Sequence, residues 1–158
     1  MKRFLLDTNL LLGFARKAQW AEWAYEEFDL GAADNIVFTS AICRGEMLAL
    51  TEKFGWGAKK RTELVRVLNQ FTTLDINKDS ILEAYAAIDV WTHGKPVTDP
   101  RFPSPLKPAI SMKQNDLWIA ATALASNATL LTTDKDFDHL DGVCLSRVWV
   151  AQASKPKT

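Results

Sequence analysis

Five short apolar runs punctuate this chain: RFLLD (3–7), NIVFTS (35–40), TTLDI (72–76), ATLLTT (128–133) and VCLSRVWV (143–150). Their length and their Asn, Asp, Gly or Thr flanks mark them as strands. Several carry apolar residues at consecutive positions, which suits strands covered on both faces, as in a parallel sheet. Helical patterns fill the intervals, around 9–17, 19–30, 41–53, 57–70, 78–92 and 114–126. This alternation predicts an α/β fold with a mostly parallel central sheet of about five strands, whose ligands gather at the carboxyl ends of the strands.

At 158 residues the chain can bury roughly 70% of its unfolded surface without staples. The expectation is a single domain over residues 1–150, followed by a short C-terminal tail at 151–158. Five of the six prolines fall in GKPVTDPRFPSPLKP (94–108), which predicts a long surface loop, since it cannot continue a helix or a central strand. Two cysteines, Cys43 and Cys144, are too few for a disulfide framework and point to a reduced, cytoplasmic setting. Lys2 and Arg3 before an apolar run superficially suggest a signal peptide, but Asp7 and Asn9 break the run. No apolar stretch reaches the roughly 18 residues of a membrane span.

The break itself, FLLDTN at 4–9, places Asp7 at the end of a buried strand. Asp134 follows ATLLTT in the same way. Two further carboxylates lie on apolar helix faces. At about 100° per residue, Glu46 falls among Ile42, Cys43, Met47 and Leu50, and Asp116 among Ile119, Ala120, Ala123 and Leu124. A carboxylate there is costly unless paired, protonated or bound to a cation. Each has an ordinary structural explanation when taken alone: an Asx-turn for Asp7, a first-turn position for Asp116, a turn for Asp134 with Asp136, and a salt bridge to Lys53 or Arg44 for Glu46. Brought to one cleft by an α/β sheet, they would repel by about 4 kcal/mol per pair at 4 Å and an effective dielectric of 20. A divalent cation removes that penalty, and oxygen donors suit Mg²⁺ or Mn²⁺ better than zinc.

LLDTN near the start, a Glu about forty residues on, NDLWIAATAL and LLTTDKDF together resemble the PIN-domain ribonucleases, and among them the VapC-like toxins of type II toxin-antitoxin systems. The resemblance covers the chain to about residue 140 and implies a three-layer α/β/α PIN-like fold. It implies a metal-dependent endoribonuclease with Asp7, Glu46, Asp116 and Asp134 as catalytic metal ligands and Asp136 as an additional ligand or water-holder. Thr8 and Asn9 match small polar positions that orient the first aspartate or the metal's water shell. One or two Mg²⁺ or Mn²⁺ ions would activate water and stabilise charge on the scissile phosphate, with Asp134 or Glu46 the first candidates to accept the proton. A cognate antitoxin and a homodimer are further implications.

Nineteen basic and nineteen acidic residues cancel, so RNA contacts must come from local clusters. Arg16, Lys17, Lys59, Lys60, Arg61, Lys107 and Lys113 are candidates, each with solvated surface as its alternative. Arg101 and Phe102 could grip an unpaired base or belong to a passive loop. Trp20 and Trp23, near Phe14 and Phe28 in sequence, read as core packing or as a groove for an antitoxin helix. His93 and His139 have no partners at metal-ligand spacing and read as surface residues. Two other readings stand beside the toxin: a PIN nuclease in RNA processing, and a PIN-like module that binds RNA or protein without cutting. A haloacid-dehalogenase type phosphatase would need a second aspartate where Asn9 stands.

Overall fold

Arg3–Leu6 (β1), Ile36–Ser40 (β2), Thr72–Leu74 (β3), Thr129–Thr132 (β4) and Arg147–Trp149 (β5) form one sheet in the order β3-β2-β1-β4-β5. All four pairings are parallel. This is a computed structural model, and it describes residues 1–153. The expected tail, 151–158, lies outside the described residues from 154 onward. β1 and β4 carry the fully buried Leu5, Leu6, Leu130 and Leu131, as expected of central strands covered on both faces.

The helices are Thr8–Ala15 (α1), Gln19–Glu27 (α2), Ala41–Lys53 (α3), Ala58–Asn69 (α4), Asp79–Thr92 (α5) and Gln114–Ala125 (α6). The Ser40 hydroxyl caps α3, accepting from the Ile42 and Cys43 amides at 3.0 and 3.3 Å. No helix among the described residues is long and apolar enough to cross a membrane.

The chain builds β1, β2 and β3 to one side of the sheet and then returns to add β4 and β5 on the other. The direction therefore reverses between β1 and β4, and the crevice outside their carboxyl ends is where such sheets bind ligands. Asp7 and Asp134 stand at those two ends.

Several expectations change on contact with the structure. The run 143–150 yields a strand only at Arg147–Trp149. Before it the chain turns at Gly142, whose φ of +70° suits glycine, with the Gly142 amide donating to the Leu145 carbonyl. A 3₁₀ turn at Lys135–Leu140 follows β4 and sets the buried Phe137 and Leu140, three residues apart, on one side. The segment 94–108 has no regular structure but is anchored. Phe102 is buried against Trp91, ring centroids 5.8 Å apart, and the Trp91 indole donates to the Ser104 carbonyl at 3.1 Å. Phe102 is thus part of the core and cannot stack on a base, while Arg101 is held by Asp99 at 2.6 Å.

Candidate active site

Asp7 leaves β1 in an extended conformation and caps α1. One carboxylate oxygen accepts from the Thr8 amide and the other from the Thr132 hydroxyl, both at 2.6 Å. Asp7 thus caps the helix through the adjacent amide rather than through an Asx-turn, and the two bonds fix the carboxylate's orientation. Thr132 Oγ1 also accepts from the Asp134 amide at 3.0 Å, so one hydroxyl ties the ends of β1 and β4. Asp134 in turn caps the 3₁₀ turn, accepting from the Asp136 amide at 2.8 Å.

Glu46 comes from α3 and is half-buried. Thr8 Oγ1 donates to its Oε1 at 3.2 Å. No ion pair joins it to Lys53 or Arg44 among the described residues; Arg44 instead donates to Thr73 and Asn69. Asp116 projects from the first turn of α6. Asp116, Asp134 and Asp136 each bring one carboxylate oxygen to within 4.8 Å of the other two. Asp7, Glu46, Asp116 and Asp134 line one cleft of about 580 Å³, with Lys53 and Lys113 on its walls. Asn9 borders the same cleft and donates to Thr133 Oγ1 at 3.0 Å.

A PIN-domain family model matches residues 4–143, a span that contains all five carboxylates. The chain belongs to the PIN-domain family. No curated protein gives a significant match. Among solved structures, this PIN domain is similar to the VapBC2 complex of Rickettsia felis bound to a promoter DNA fragment. The TM-score there is 0.71 at 21% identity, over 92% of this chain and 98% of that one. VapBC-1 of nontypeable Haemophilus influenzae gives 0.65 at 20% identity, over 93% and 97%. A toxin-antitoxin complex from Klebsiella pneumoniae gives 0.62 at 21% identity, over 91% and 94%. At such identities the likeness is one of fold.

The electrostatics of this PIN-domain cleft fit a divalent cation. Burial pushes the Asp7 carboxyl from 3.8 up to about 6; the bonds from Thr132 and Thr8 oppose the rise, and Asp116 and Glu46 add to it. Asp116 is likewise raised to about 6, first by burial and then by Asp134, with Asp136 and Glu46 adding and Lys113 opposing. Carboxylates that resist ionisation because they are buried, and further because they face one another, are stabilised by a bound cation. The donors are all oxygen, as Mg²⁺ or Mn²⁺ prefers. Cys43 lies fully buried, its thiol pushed up to about 12 by burial and by Asp7, and is no soft ligand.

The basic candidates separate into groups. Lys113 borders the cleft, 3.9 Å from Asp136. Arg61 is engaged by Glu52 at 2.6 Å, which weakens its case as a phosphate contact. Arg16 and Lys60 lie over aromatic rings. Lys17, Lys59 and Lys107 are exposed, and none of the three lines the cleft. His139 departs from the surface reading: it is half-buried, with no partner for Nε2 among the described residues and burial lowering its pKa.

Two residues of the site escape a reading by charge alone. Lys53 stands on the cleft wall without an ion pair among the described residues, rather than as Glu46's partner. Thr132 is an ordinary strand residue by type; only its position at the end of β4, two residues before Asp134, hints at its role.

Proposed function

We propose that this PIN domain is a divalent-metal-dependent endoribonuclease and the toxin of a toxin-antitoxin pair. The observation that carries the reading is the convergence of Asp7, Glu46, Asp116 and Asp134 on one cleft at the carboxyl edge of the sheet. Family membership and the toxin-antitoxin complexes of similar fold support it.

Asp116, Asp134 and Asp136 would hold a Mg²⁺ or Mn²⁺ ion, with Asp7 and Glu46 closing the other side of the cleft. Such an ion supplies a lowered pKa for water and positive charge beside the scissile phosphate. Thr132 and Thr8 keep the Asp7 carboxylate aimed into the cleft, and Thr8 orients Glu46. Glu46 or Asp134 would accept the proton of an attacking water. Lys53 and Lys113, on the walls, offset repulsion between the acids and the incoming backbone. The apolar hollow of about 210 Å³ lined by Trp20, Trp23 and Trp149 suits an apolar side chain of an antitoxin segment, and a homodimer is the assembly we expect.

Purified protein should cut RNA with Mg²⁺ or Mn²⁺ and stop with EDTA. Asp7→Asn and Asp116→Asn should each lose cleavage while staying folded; retained cleavage in both would sink the metal-site reading. Growth arrest on expression, relieved by the neighbouring open reading frame, separates a toxin from an RNA-processing nuclease.

A further inference from the structure

We propose that Arg16, Phe54, Trp56 and Lys60 form a single-strand subsite that holds an unpaired nucleotide of the substrate a few positions from the bond that is cut. The inference rests on the endoribonuclease reading and extends it to a surface outside the acid cleft.

The placement follows from two helices that run side by side. Thr8 on α1 meets Glu46 on α3 at the cleft. Eight residues further along both, Arg16 meets Phe54, its guanidinium carbon 4.9 Å from the ring centroid. At 1.5 Å per residue the two contacts are about 12 Å apart. Leu50 and Lys53, between them on α3, line the cleft, so the patch continues the cleft's edge.

Phe54 lies on the apolar face of the α3 wheel, yet it remains 47% exposed, because α3 ends there and the ring passes beyond the core. It stacks on Trp56 with centroids 6.1 Å apart and planes at 29°. Arg16 also lies 5.9 Å from the Trp56 ring, and the Lys60 ammonium 5.8 Å. The result is one exposed ring, Phe54, backed by the buried Trp56 and flanked by cations, the combination that takes up an unpaired base and its phosphates.

Charge selects the occupant. Neither Arg16 nor Lys60 forms an ion pair among the described residues, whereas the acids of this face are occupied: Glu52 by Arg61 and Glu63 by Arg66, each at 2.6 Å. A local positive excess therefore remains on a chain of zero net charge. Lys59 and Lys60 also open α4, where the helix dipole disfavours cations; a phosphate beside them reverses that penalty. An apolar protein partner would leave these cations unmatched, and a duplex would hide the base faces that Phe54 can stack on.

The test is fluorescence anisotropy with a labelled, unpaired oligoribonucleotide of about ten nucleotides, in EDTA so that nothing is cut. Phe54→Ala and Arg16→Gln should each weaken binding about ten-fold, with the circular dichroism of the wild type, and Phe54→Ala should leave binding of the same RNA as a duplex unchanged. Equal binding of the unpaired RNA by wild type and both variants would overturn the subsite while leaving a Mg²⁺-dependent nuclease intact. Patch-dependent binding without cleavage in Mg²⁺ or Mn²⁺ would uphold the subsite and remove the nuclease reading. A wild type that binds no unpaired RNA overturns the subsite. So does a Phe54→Ala variant that changes oligomeric state in light scattering with RNA affinity unaltered, since the patch would then be a protein interface.

Discussion

The Thr132 hydroxyl donates a hydrogen bond to Asp7 and accepts one from the Asp134 amide, and its side chain is fully buried. Replacing it with isosteric valine leaves both groups without that partner. Thr132→Val should cost roughly 1–3 kcal/mol in thermal unfolding and lower cleavage roughly ten- to hundred-fold, as for other residues that orient metal ligands. Thr132→Ser should restore most of both; a valine variant with wild-type cleavage would show that the hydroxyl does not position the acids. Asp7 makes a second prediction. Its folded pKa is raised from 3.8 to about 6, so between those values the folded protein holds a proton that the unfolded chain has released. Metal-free stability therefore falls as pH rises through that window, by on the order of 2–3 kcal/mol for this 6%-exposed group. Asp116, raised for the same reasons, acts in the same direction. In EDTA the protein should melt higher at about pH 5 than at about pH 7.5, and Asp7→Asn should flatten that slope. Added Mg²⁺ should raise the melting temperature most at the higher pH, where protons no longer compete.

Helix α1 must leave Asp7 at one end and reach Arg16 at the other while packing beneath α2. Gly13 sits at that contact. Glycine inside a helix ordinarily costs about 0.5–1 kcal/mol relative to alanine, so propensity alone makes Gly13→Ala stabilising. Packing decides otherwise: a Cβ there would lie 2.6 Å from the Trp20 ring and 2.8 Å from the Ala21 Cβ. Trp20 can shift, but Ala21 is fully buried on α2. Gly13→Ala should therefore destabilise by about 1–3 kcal/mol, read by urea unfolding. Element boundaries show what the sequence carries. β1, β2 and β4 are legible because their central residues are buried, so each reads as a short run of consecutive apolar residues closed by Thr, Ser or Asp. β5 is legible only in part, because Val143 to Leu145 are apolar for packing around a turn rather than for pairing. Glu46 and Asp116 stand out in the sequence because charge on an apolar helix face is costly enough to need a reason, and Asp7 and Asp134 because each closes an apolar strand run. Thr132 is hidden because threonine is an unremarkable strand former, and the Arg16 to Phe54 contact because it depends on how two helices lie together.

Across the whole molecule, equal numbers of acids and bases conceal a division of labour. Five acids gather where the sheet reverses direction, and cations without an ion pair among the described residues, Lys53 and Arg16, lie along α3 and α1 toward Phe54. Binding of unpaired RNA should then depend on salt through only the few cations that reach phosphates. For single strands the slope of log affinity against log salt is about −0.7 per neutralised phosphate. With Arg16, Lys53 and Lys60 engaged, the slope is about −2, which corresponds to a loss of about fifteen- to twenty-fold between 50 and 200 mM salt. Arg16→Gln should make it shallower by about 0.7, whereas Lys107→Gln, on the proline-rich loop, should leave it unchanged. Anisotropy titrations across that salt range measure all three slopes. Identical slopes for wild type and Arg16→Gln would place the phosphate path elsewhere on the surface, with Lys113 on the opposite wall of the cleft as the next residue to test.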